Sequence, residues 1–88
     1  MSMEAVYGIT THPGYFGHFT RQEAPGAIRN GTRILKRGTK PNDPHPDGTP
    51  GTVLGSIGDH LRGFGYFIEW DPRPKYAVFI EGTRIEPV

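Results

Sequence analysis

The chain contains no cysteine, which excludes disulfide bridges and thiolate metal sites. The same absence fits a reducing compartment. No apolar run approaches the roughly 18 residues of a membrane span. The first thirty residues hold no basic stretch followed by an apolar one, so no secretory signal is read there. A soluble cytoplasmic protein is the resulting expectation. Serine is almost missing, with Ser2 and Ser56 the only two in the sequence. Neither sits in a Gly-x-Ser-x-Gly setting, and neither a phosphate-binding glycine loop nor a His-Glu-x-x-His occurs. The sequence therefore leans away from an enzyme, and no catalytic residue, metal site or cofactor is assigned. An excess of one charge is lacking too: 10 basic against 9 acidic residues leave a formal charge of +1, without the basic surplus usual in nucleic-acid binders.

Glycine and proline, by contrast, are abundant, at 13 and 9 of 88 residues. Interrupted by apolar runs, they predict many short strands separated by turns. The length fits one domain with a modest core. Its densest stretch runs from Tyr66 to Ile80 and carries the only tryptophan. Two aromatic and β-branched runs there flank Asp71-Pro72-Arg73-Pro74, the pattern of a hairpin. Arg73 precedes a proline and is pushed out of the α region, so the connection should be longer than two residues.

Taken in order, residues 1–30 read as an arm, with Tyr15, Phe16 and Phe19 clustered in it. A disordered tail rarely spends aromatics this freely. The arm is expected to pack on the remaining domain, residues 31–88, or on a second subunit, which makes a homo-oligomer plausible. The first clear strand is 31–37, with Ile34 inward, Arg33 and Arg37 outward, and the Lys36 stem lying on apolar surface while its ammonium stays wet. Residues 38–51 hold three glycines and four prolines and form a long, stiff loop. Strands are predicted at 51–57, with Val53 inward and a bend at Gly55, and at 66–70, with Tyr66, Ile68 and Trp70 inward. A flexible loop at 58–65 joins them. Strand 75–80 has no settled inward face, and a last short strand follows Glu81-Gly82-Thr83.

Gly31-Thr32-Arg33-Ile34, Gly51-Thr52-Val53, Tyr66-Phe67-Ile68-Glu69-Trp70-Asp71 and Arg84-Ile85 together resemble the small SH3-like β-barrels of the KOW and Tudor type. They are also similar to small bacterial barrel proteins that pair Gly-Thr-Val-Leu-Gly-Ser with Tyr-Phe-x-Glu-Trp-Asp. The resemblance covers residues 30–88 and implies an all-β, five-stranded SH3-like barrel behind the N-terminal arm. Barrels of this class often bind ligands across the long first loop and the short loop after it. That implies a non-enzymatic binding module for a protein or small ligand, with sites on the 38–51 and 58–65 loops. Phe64, Phe67 and Tyr76 are the candidate aromatic platforms; His45 and Asp47 are the candidate polar contacts. A cation cage of Tyr66, Trp70 and Tyr76 conflicts with the inward placement of the first two. Asp43, His45 and Asp47 stand at alternate positions, but without a second histidine at fixed spacing they define no metal site.

Two alternatives follow. Arg33, Arg37, Lys40 and Arg84 could form a basic face that tracks phosphates of a nucleic acid; the competing reading is a solvated strand face whose charges discourage edge pairing. An oligomeric enzyme with an intersubunit site is the other. The type II plasmid-borne dihydrofolate reductases are similar in size and barrel class, but their Val-Gln-Ile-Tyr stretch corresponds here to Val78-Phe79-Ile80-Glu81, without the glutamine and tyrosine.

Overall fold

The computed structural model describes residues 22–88. Five antiparallel strands form one sheet: β1 (Arg33–Lys36), β2 (Pro50–Asp59), β3 (Gly63–Trp70), β4 (Val78–Glu81) and β5 (Ile85–Pro87). A 3-10 turn, Gly82–Arg84, joins the last two. The order across the sheet is β4-β3-β2-β1-β5. Among the described residues there is no α-helix, and no helix long and apolar enough to cross a membrane. The described residues are all-β, as the composition predicts. The arm residues Tyr15, Phe16 and Phe19 lie outside the described residues.

The connectivity forces the sheet to curl. β4 and β5 are its opposite edges. In a flat sheet four strand spacings would separate them by about 19 Å. The link from Glu81 to Ile85 spans four residue steps, about 14 Å at full extension. The edges must therefore approach each other, and the sheet closes around a single core. Each strand contributes to that core: Ile34 from β1, Val53 from β2, Tyr66, Ile68 and Trp70 from β3, Ile80 from β4 and Ile85 from β5.

Alternation sets which side chains enter, and one irregularity resets it. Val53 pairs with Ile68 but Gly55 pairs with Phe67, so Leu54 is the extra residue of a β-bulge. A bulge shifts the parity of its strand by one. Val53 and Ser56 therefore both face inward, and the bend expected at Gly55 falls beside this bulge. Ser56 is fully buried. Its hydroxyl accepts the Ala24 amide at 2.9 Å and its own amide donates to the Gln22 carbonyl at 2.7 Å. Those bonds fasten residues 22–30 to the sheet, together with Ala27 and Ile28 against the core and the Ile28 amide donating to the Tyr66 hydroxyl at 2.9 Å.

The 58–65 stretch is not a flexible loop. Gly58 pairs with Phe64 and Asp59 with Gly63, leaving His60, Leu61 and Arg62 as the connection. Gly58 and Gly63 have φ of 107° and 91°, a region open to glycine and strained for other residues. The Asp59 carboxylate accepts the Arg62 amide at 2.7 Å and closes the turn. Glycine-rich sequence here means a tight hairpin, because positive φ is what a short connection needs. On β4, Val78 and Ile80 face the core. Phe79 packs on the other face, edge-on to Phe67 at 5.3 Å between centroids.

Candidate ligand-binding site

Curling leaves a seam where β4 and β5 share no hydrogen bonds. A cavity of about 460 Å³ opens near it, between the β1–β2 loop, the end of β3, the β3–β4 connection and the 3-10 turn. Its apolar lining is Trp70, Tyr76, Val78, Phe79 and Ile80; its polar lining is Lys36, Asp43, His45, Arg73 and Arg84.

The polar lining starts from parity. Lys36 lies two residues from Ile34 and faces inward as alternation requires, but its ammonium does not stay wet. The residue is 3 % exposed. Its Nζ donates to Asp43 Oδ2 at 3.0 Å and to the His45 carbonyl at 2.7 Å. A lysine buried without such partners would be very costly. The long loop supplies them by folding back over the end of β1. The Thr39 hydroxyl also donates to the His45 carbonyl, at 3.3 Å, and the Gly48 amide donates to the Lys36 carbonyl at 2.8 Å. The loop is thus tied to the end of β1 by a charged anchor.

Asp43 is the centre of this cluster. Its Oδ2 accepts from the Lys40 amide at 2.9 Å, from Lys36, and from Arg84 Nη2. The Lys40 amide first, and then the Lys36 ammonium, hold the Asp43 carboxyl at about 2, below its ordinary 3.8. A carboxyl lowered on folding stabilises the fold above its unfolded pKa, and that stabilisation fades as pH falls through the folded value. Asp43→Asn should therefore flatten the acid-side loss of stability between pH 4 and 2, read from thermal melts along a pH series. Asp47, Asp71 and Glu86 are also lowered, by Thr39, Arg33 and Arg37 respectively. The asparagine variant removes one part of the slope, and an unchanged slope would show that Asp43 does not contribute.

The sequence-predicted site residues do not converge on one groove. The 38–51 loop and the 60–62 turn lie at opposite ends of β2. His45 and Tyr76 line the seam cavity, with the His45 ring 6.4 Å from that of Trp70. Phe64 is half-buried and borders a second cavity of about 610 Å³ at the hairpin end, with Arg62, Glu81 and Thr83. Phe67 is buried rather than an exposed platform. Asp47 lines neither cavity; its Oδ1 accepts the Thr39 amide at 2.8 Å. Tyr66 and Trp70 are buried and Tyr76 is 42 % exposed, so these three do not form an open cage.

The basic residues are mostly paired with acids. Arg33 makes a bidentate pair with Asp71, at 2.8 and 2.5 Å. Arg37 pairs with Glu86, and Arg84 pairs inward with Asp43 instead of extending a strand face. Lys40 is exposed. Arg73, Phe79 and Lys36 are cavity residues that sequence reasoning did not place at a site; Asp43 and Arg84 were singled out separately, as part of an alternate-position set and of a basic face, and not as partners of Lys36. Among the described residues no group of three histidine, cysteine or acidic side chains could hold a metal.

A scan against protein-family models, a search of curated proteins and a search of solved structures each return no match. The site is therefore read from its own geometry.

Proposed function

We propose that the chain is a non-enzymatic binding module of the SH3-like barrel type, and that the seam cavity is its ligand site. The barrel reading is supported by the strand order β4-β3-β2-β1-β5, the long loop after β1 and the 3-10 turn before the last strand. The observation that carries the binding reading is a largely apolar space whose lining mixes aromatic residues, Trp70, Tyr76 and Phe79, with charged ones, Lys36, Asp43, Arg73 and Arg84. Small-molecule sites have this composition, and typical volumes of about 300–1,000 Å³ include this one.

Chemistry favours binding over catalysis. Asp43, held at about 2, is far too weak a base to take a proton near neutral pH. Ser56, the one serine among the described residues, is buried with its hydroxyl bonded to Ala24. The ion pairs of Arg33, Arg37 and Arg84 likewise favour the cavity over a phosphate-tracking face.

The test is amide chemical-shift mapping with indole as an uncharged aromatic probe. Shifts should gather at residues 43–45, 70–80 and 84. Tyr76→Ala should weaken the binding about five- to tenfold, the value of one lost aromatic contact. It should change stability by no more than about 0.5 kcal/mol, because the side chain is substantially exposed. Shifts gathered around residues 57–66 instead would move the site to the hairpin end and end this reading.

A further inference from the structure

The cavity carries three cations, Lys36, Arg73 and Arg84, against one carboxylate, Asp43. The other acids are committed elsewhere. Asp71 and Glu86 serve Arg33 and Arg37. Glu69 accepts the Lys75 amide at 2.6 Å, and Glu81 faces the second cavity. Asp47 is near enough to feel the charge of Lys36, yet it is bonded to Thr39 and does not line the space. One Asp43 oxygen already accepts three donors. Arg84 Nε is out of solvent with no hydrogen-bond partner. Arg73 is exposed, sits 5.2 Å from the centroid of the Tyr76 ring, and has no carboxylate partner among the described residues. A half-buried space with unmatched positive charge favours an anion. The lining also includes the exposed ring of Tyr76.

Resting on the cavity being the binding site, we infer that it takes a small aromatic carboxylate. The ring lies on Tyr76, the exposed aromatic of the lining, and the carboxylate meets Arg73 and Arg84. Guanidinium groups suit this, because their forked donors match a carboxylate's two oxygens. Arg73 is the selectivity residue: it sits at the exposed side, is spent on no other acid, and is held over Tyr76 by its own cation–π contact.

The experiment titrates the full chain with indole-3-acetate and, separately, with indole-3-acetamide, which keeps the ring and loses the charge. Amide shifts locate each compound and give its affinity. Both should shift residues 43–45, 70–76 and 84, and the carboxylate should bind at least about tenfold tighter. Arg73→Gln should remove most of that preference, weakening the carboxylate's binding several-fold more than the amide's. The residue is exposed in a connection, and a thermal melt confirms the variant's fold. Equal affinities, or a preference that Arg73→Gln leaves intact, overturn the carboxylate assignment while the cavity remains a binding site. Shifts in the cavity from neither compound overturn both.

Discussion

Replacing Trp70 with alanine is expected to cost about 3–5 kcal/mol, the range for emptying a large aromatic site in a packed core. The ring is buried where the last residue of β3 meets the first turn of the β3–β4 connection. It touches strand β2 so closely that a Cβ on Gly51 would stand 2.7 Å from Trp70 Cε3. The same residue borders the seam cavity, so its loss empties part of the core and enlarges that cavity together. A small domain has only about 5–15 kcal/mol of total stability, so the variant should show a large fall in urea midpoint. Leu61→Ala is the control. Leu61 is 93 % exposed at the hairpin tip, and its change should stay within about 0.5 kcal/mol. A Trp70→Ala cost below about 1 kcal/mol would mean that the ring is not packed as described.

Gly58→Ala should cost about 2–5 kcal/mol, from backbone strain and a steric clash together. Its φ is 107°, and a Cβ there would lie 2.2 Å from the Gly63 carbonyl oxygen. Backbone on the facing strand cannot swing aside as a side chain can. Gly48 separates the two contributions: its φ is 87°, but a Cβ there meets nothing within 4 Å. Gly48→Ala should therefore show the strain alone, about 1–2 kcal/mol. Equilibrium urea unfolding of both variants gives the clash by difference. Equal costs at the two positions would show that the β2–β3 hairpin accommodates the methyl group.

The two glycines also show what sequence patterning conveys and what it omits. A run such as Gly58-Asp59-His60-Leu61-Arg62-Gly63 is compatible with a slack loop and with a tight turn, since glycine serves both. The choice is made by strand pairing, which here continues to Asp59 opposite Gly63. The β3–β4 connection was easier to read. Pro72 and Pro74 around Arg73 disfavour a two-residue turn, and the ladder of β3 with β4 begins at Val78 opposite Ile68, after an isolated bridge at Tyr76.

Lys36 shows the same division at the site. Its position two residues after Ile34 makes it inward-facing by parity alone. A lysine stem can usually carry its charge back to water, so parity gives no sign that the ammonium ends within the structure. The deciding contact is Asp43, seven residues on, in a loop with no period to read. Arg84 joins them from 41 residues away. Pairs at that separation leave no pattern in one sequence, because each residue is an ordinary surface type until the fold brings the three together.

From residue order alone come the all-β class, the inward set Ile34, Val53, Tyr66, Ile68 and Trp70, and the long proline-rich loop after the first strand. These follow from local rules: two-residue alternation and the backbone limits of proline and glycine. The buried Lys36–Asp43–Arg84 cluster, the bulge that turns Ser56 inward and the seam cavity were decided by tertiary structure. A three-residue link pulled the two sheet edges together, and the charged groups it gathered had to find partners once water was excluded.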